Sequence, residues 1–322
     1  MKKISFLIVG CLLCAAASAE DKPLSWDDCL REARAKNPEI VSARAKVEEA
    51  KADKNITKSG ALPQISVTGG ATTAKTEGRA RTKLYDYGVT AQQLLFDGFK
   101  TSNDLAAARE QVKVSSYEYL VTSSDVRLTL RSAYVGLLGA QEFLQVTRDI
   151  VDRRKQNEEL VSLRYQSGRE NKGALLTAQA NLASAEFEFE QAQRSVDLYQ
   201  RRLSKALGRE KFMPLSVSGD LAVAAIDQMQ PDFEMFVSSV PLLKQLVAKK
   251  EAARFGLKSA KSDLFPKIYA TGNAGKSGTA WAPETDDWSA GISVTFPLFE
   301  GGQKQAAITK ARASLNQVEA DE

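Results

Sequence analysis

The chain has 322 residues, with 44 basic against 40 acidic side chains, three cysteines and no histidine. Without histidine the commonest general base and the commonest metal ligand are both missing, and so near a balance of charge gives no footing for nucleic-acid binding. No nucleophile and base pair, metal-ligand spacing or Gly-rich nucleotide loop stands in the sequence, which therefore predicts no enzyme, no cofactor and no metal site.

The first residues read as a signal peptide: Lys2 and Lys3, an apolar run from Ile4 to Ala17, then Ala17-Ser18-Ala19 ahead of a mature start at Glu20. That run is shorter than the roughly 20 residues a membrane-spanning helix needs, and nothing later is apolar for as long. A rival reading takes Ile8-Val9-Gly10-Cys11 as a lipidation site with Cys11 acylated. Loss of residues 1–19 removes Lys2, Lys3, Cys11 and Cys14, leaving 42 bases against 40 acids and Cys29 as a lone thiol. Cys29 is expected to be a small buried residue on a helix.

From Trp26 the sequence is rich in helix formers, broken at Asn37-Pro38 and stopped at Gly60, which predicts a short helix followed by a longer one over Pro38 to Ser59. Gln64 to Ala71 then alternates, with Ile65, Val67, Gly69 and Ala71 on one face. After a charged connection, Tyr85, Tyr87, Val89 and Ala91 alternate against Asp86, Gly88, Thr90 and Gln92, which completes a hairpin. One helix is predicted from Thr101 to Tyr165 and an antiparallel partner from Ala174 to Leu207, closed by Gly208, with a turn over Gln166 to Asn171 between them. The partner carries Leu175, Ala178, Leu182, Ala185, Phe189, Ala192, Val196, Tyr199, Leu203 and Ala206 at alternating steps of three and four, a coiled-coil seam.

A constant offset of 203 residues relates the first part of the chain to the last: Pro38 to Pro241, Pro63-Gln64-Ile65 to Pro266-Lys267-Ile268, Gly88 to Gly291, and Leu95-Phe96-Asp97-Gly98 to Leu298-Phe299-Glu300-Gly301. The chain thus divides into a leader (1–19), a first repeat (20–208, with hairpin 64–95 and helical hairpin 101–207), a connector (209–236) and a second repeat (237–322, with hairpin 267–298 and the start of a long helix). By that offset the second repeat is incomplete, lacking counterparts of 120–208. Strands with one apolar and one polar face suit a half-buried soluble sheet, and equally a barrel with lipid outside and water inside. Tyr85, Tyr87, Trp281 and Trp288 are candidate membrane-interface aromatics, and four strands can close a barrel only by oligomerising.

Over essentially its whole mature length the chain resembles the TolC-like outer-membrane efflux proteins. The residues that carry this are Leu24-Ser25-Trp26-Asp27-Asp28-Cys29-Leu30 with Asn37-Pro38-Glu39, Leu62-Pro63-Gln64-Ile65, Leu94-Leu95-Phe96-Asp97-Gly98, Arg164-Tyr165 with Gly168, Leu175-Leu176 with Ala178-Gln179, Leu203 with Leu207-Gly208, and Phe296-Pro297-Leu298-Phe299-Glu300-Gly301-Gly302. The resemblance implies a mainly α fold with β-hairpins, in which long antiparallel coiled-coil helices cross the periplasm and four strands join a trimeric transmembrane β-barrel. As partners it implies two further copies, a periplasmic adaptor (membrane fusion) protein, an inner-membrane transporter and outer-membrane lipid. It implies a passive exit duct for efflux or type I secretion, and it places Arg164, Tyr165 and Gly168 at a periplasmic tip, near which the charged Arg164, Arg169, Glu170 and Lys172 are candidate closing contacts. Ala174 stands where the family often carries an acid. The competing readings are a periplasmic adaptor or coiled-coil scaffold, and a truncated fragment of a duct unable to work.

Overall fold

The structure is a computed structural model that describes residues 23–75, 77, 78, 80–221 and 236–322. The signal peptide, Cys11 and part of the connector lie outside the described residues. In chain order the elements are α1 (Trp26–Lys36), α2 (Pro38–Ser59), β1 (Gln64–Ala74), β2 (Thr82–Phe96), α3 (Lys100–Gln166), α4 (Lys172–Leu207), α5 (Pro241–Ser262), β3 (Lys267–Gly278), β4 (Thr285–Thr295) and α6 (Gln303–Asp321). They fall into two compact units, one drawn from 23–37 and 127–221, the other from 38–126 and 236–322, with α3 contributing to both.

The first unit is helical. Ser25 and Asp28 form a reciprocal capping box that starts α1, each side chain accepting the other's backbone N–H. Asn37 ends α1 in an extended conformation, as a residue before proline should. Its buried side-chain amide donates to the Ala206 carbonyl at 2.9 Å, which satisfies an orphan acceptor in the last turn of α4. Gly208 follows with φ +79°, and a Cβ there would lie 2.5 Å from the Lys36 carbonyl oxygen. Only glycine therefore lets the end of α4 abut the end of α1.

Arg209 grips Glu32 with two hydrogen bonds, Nε to Oε1 at 2.9 Å and Nη2 to Oε2 at 2.8 Å. This guanidinium holds the Glu32 carboxyl below its ordinary pKa, and Lys36 adds to the effect.

Every residue of the expected α4 seam is buried or half-buried. The end of that seam, Val196, Tyr199, Leu203 and Ala206, packs with Leu130, Ala133 and Leu137 of α3 and with Cys29, Leu207, Leu215 and Val217 in one core. Each fully buried leucine there contributes about 1.5–3 kcal/mol.

The β-favouring Leu215-Ser216-Val217 makes a single parallel bridge, Leu24 to Val217, in place of a strand. Side chains hold it: Gln141 both donates to and accepts from the Val217 backbone, Gln200 donates to the Leu215 carbonyl, and Tyr134 Oη donates to Ser218 at 2.6 Å. Trp26 packs edge-on against Tyr134 at 5.6 Å.

The second unit is organised by a four-stranded antiparallel sheet in the order β1-β2-β3-β4, so that the two hairpins of the repeat pair through β2 and β3. Gly88 opposes Gly275 across that joint, and a Cβ on Gly88 would sit 2.9 Å from the Ala274 carbonyl oxygen. The two backbones meet on the polar face with no side chain between them, which lets the sheet bend toward that face.

Each hairpin ends in a corner of two successive left-handed residues, Gly98 and Phe99 (φ +69° and +66°) in the first copy and Gly301 and Gly302 (φ +59° and +84°) in the second. Asp97 accepts from the Thr101 N–H at 2.8 Å and from its hydroxyl, starting α3. Lys100 pairs with Asp263 at 3.0 Å.

Candidate functional site

Two surfaces stand out, the sheet and the turn between α3 and α4, each within its own unit. The register aligns Ile65, Val67 and Gly69 with Ala91, Val89 and Tyr87, then with Gly272, Ala274 and Lys276, then with Ala290, Trp288 and Asp286. One face is therefore apolar over most of its height. The other carries Ser66, Thr68, Thr90, Gln92, Thr271, Asn273, Ser289 and Ser293.

In a water-soluble sheet the apolar face is the covered one. Here Val67 is 80% and Trp288 78% exposed, and Ile65, Ile292 and Val294 are likewise open. An 11-residue strand such as β1 or β4 rises about 36 Å, and at a tilt of about 45° it spans about 25 Å, the height of the apolar band of an outer-membrane barrel. Among the described residues no helix is long and apolar enough to cross a membrane.

The four aromatics singled out from the sequence cluster toward one end of this face. Trp281, in the β3–β4 connection, meets Tyr85 edge-on at 5.9 Å, while Tyr87 and Trp288 lie further into their strands. Sequence reasoning missed the other end. There Phe96, Phe99, Phe265, Phe296, Leu298 and Phe299 are gathered where the strands meet the helices, with Leu298 86% and Phe299 89% exposed. The signal was available, since Leu95-Phe96 and Leu298-Phe299 repeat at the same offset, but both pairs served only as markers of the corner.

The turn between α3 and α4 brings Arg164, Tyr165, Gly168, Arg169 and Glu170 together. Gly168 has φ +73°; its N–H bonds the Tyr165 carbonyl and the Arg169 N–H bonds that of Arg164. This is a glycine-terminated helix end. Glu170 accepts from the Asn171 N–H, and Asn171 in turn caps α4 through Ala174 N–H at 2.8 Å. Among the described residues neither arginine is in an ion pair.

Beside the turn Leu160, Leu163 and Leu176 are exposed, and sequence reasoning missed them because the period of three and four marks only the buried face of α4. Leu176, Phe187 and Leu198 on α4 are all open and recur every eleven residues, three helical turns, so they form a second apolar stripe.

Comparison with known proteins agrees with this geometry. The profile of the outer membrane efflux protein family matches residues 29–209 and 236–322. The chain is 22% identical to the outer membrane efflux protein BepC of Brucella suis, over 87% of its own length and 62% of BepC. It is 23% identical to the fusaric acid resistance protein FusA of Burkholderia cepacia, over 94% of its length and 63% of FusA. The chain thus spans a little over three fifths of these relatives. Its fold is that of the Campylobacter jejuni CmeC outer membrane channel, with a TM-score of 0.79 at 17% identity, over 92% of this chain and 66% of that one. The match over most of the sequence establishes that the chain is a member of the outer membrane efflux protein family, and hence a protein of the outer membrane.

Proposed function

We propose that the chain is one subunit of a homotrimeric exit duct, passive in itself, that serves a tripartite efflux or type I secretion system. Each subunit gives its four strands to one shared barrel in the outer membrane and its helices to a tunnel through the periplasm. A periplasmic adaptor and an inner-membrane transporter complete the path and supply the energy.

The observation that carries this reading is the inside-out sheet, an open apolar face backed by a polar one, with β1 and β4 free at its edges among the described residues. In lipid a free strand edge leaves backbone groups unsatisfied, so only closure into a barrel makes such a sheet stable there. The second apolar stripe on α4 supports packing against a neighbouring helix pair in the same assembly.

In this reading Tyr85, Tyr87, Trp281 and Trp288 mark the outer interface, and the phenylalanines at the helix end of the sheet mark the periplasmic one. The turn residues Arg164, Tyr165, Gly168, Arg169 and Glu170 form the tip that meets the adaptor and gates the tunnel. Exposed apolar Leu163 and Leu176 beside it would supply packing area, and the arginines orientation.

The test is to isolate outer membranes from cells expressing the chain and run them unheated and heated in detergent. A trimer that collapses to a monomer on heating, and that conducts ions in a planar bilayer, is the expected result. A monomer recovered only from the soluble periplasmic fraction refutes the duct.

A further inference from the structure

The two free edges of the sheet carry opposite charge at their loop ends. Beside β1, the first hairpin's connection has Lys75 and Arg81 against Glu77. At the start of β4, the second has Glu284, Asp286 and Asp287 against Lys276. Lys276 and Asp286 already pair within the chain at 3.2 Å. Among the described residues Lys75, Arg81, Glu284 and Asp287 have no ion-pair partner. The bases thus gather at one edge and the surplus acids at the other, with β2 and β3 between them.

We propose that these edges form an electrostatic seam between copies of this chain, Lys75 and Arg81 at the loop end of β1 meeting Glu284 and Asp287 at the loop end of the next copy's β4. The inference rests on the trimeric duct and adds what selects its strand register.

Three features fit the occupant to a second copy. β1 and β4 are equal in length at 11 residues, and in the sheet order they run antiparallel, so head-to-tail pairing continues the ladder. That pairing brings a basic loop beside an acidic strand start at every seam. The strands themselves specify register weakly, because β1 is Gly-, Ala- and Thr-rich with small side chains on both faces. A slip of two residues would keep the apolar face toward lipid, and only a feature fixed at one end of the strands, such as opposed charges, resists it.

The experiment uses the whole chain in detergent. Lys75→Glu with Arg81→Glu makes both sides of each seam acidic, Glu284→Lys with Asp287→Lys makes both basic, and the four changes together restore opposition with reversed sign. Lys276 and Asp286 stay as they are. Each pair alone is expected to lower the temperature at which the trimer dissociates in dilute buffer. That deficit should vanish near about 1 M salt, where screening acts within about 3 Å. The fourfold variant should return to the level of the unaltered chain. Trimers that melt alike in all four forms overturn the seam and leave the duct standing, as does a deficit that the fourfold change fails to repair. No trimer from the unaltered chain overturns the duct itself, and the seam with it.

Discussion

Gly136 offers the sharpest test of how α3 and α4 fit together. In the interior of a helix, replacing glycine by alanine ordinarily stabilises by about 1 kcal/mol, since alanine loses less backbone freedom on folding. At Gly136 the added Cβ would fall 2.5 Å from Tyr199 Cε1 and 2.7 Å from Cδ1, too close for either atom to stay. Tyr199 belongs to the α4 seam and is packed against the core, so its ring cannot swing out freely. Overpacking of this kind costs about 1–3 kcal/mol. Gly136→Ala is therefore expected to leave stability unchanged or lower it by up to about 2 kcal/mol, the clash outweighing the gain in propensity. With Tyr199→Ala in the background the ring is gone and the same change should stabilise by about 1 kcal/mol. The assay is a double-mutant cycle read from thermal or denaturant midpoints of the helical signal, with a coupling on the order of 2 kcal/mol expected. If Gly136→Ala stabilises equally with and without the tyrosine, the ring does not occupy the space over Gly136 and the description of this seam is wrong.

Other outcomes follow from the core and the corners. Because Arg209 depresses the pKa of Glu32, the pair's contribution is fully present above the unfolded carboxyl value of about 4.3 and disappears as pH falls through the lower folded value. Glu32→Gln should thus flatten the acid limb of an unfolding curve and leave its slope above pH 6 unchanged. Burial pushes the Cys29 thiol up to about 11, so iodoacetamide at pH 8 should modify it only in denaturant, and mass spectrometry of the folded chain should find it free. Gly98→Ala introduces a Cβ at 2.6 Å from that of Phe265 and at positive φ, and should cost at least about 2 kcal/mol; a midpoint within error of the parent would contradict the corner.

Much of the fold was legible because local chemistry and global packing agree. Ser25, Asn37-Pro38, Gly168 and Gly208 end or start helices where their types demand, and the period of α4 names its buried face residue by residue. The strands run longer than their alternation, β1 to Ala74 and β3 to Gly278, since the backbone ladder continues past the apolar band into Thr72, Thr73 and Lys276, where pattern gives no signal. The bridge from Val217 to Leu24 could not be read at all: β propensity marks Leu215 and Val217 as extended but says nothing of a partner almost 200 residues away. At the sheet, the period of two identified the faces but not which one would be open, because alternation is the same whether water or lipid lies beyond it. The phenylalanines at the helix end of the sheet gave no signal for a related reason, lying just past the strands where alternation stops.

The inside-out sheet also sets an order of events in the making of the protein. The helical unit has a core of its own, with Leu130, Leu137, Leu203 and Leu207 sealed from solvent, and it can reach its final state in water. In the proposed barrel the sheet cannot, since there it needs lipid on one face and more strands at both edges. If the sheet joins such a barrel, a chain that has not yet met its partners is half finished, its helical core formed and its strand edges open. On that reading it is residues 64–96 and 267–299, and not the helices, whose open face and free edges need cover until the barrel closes.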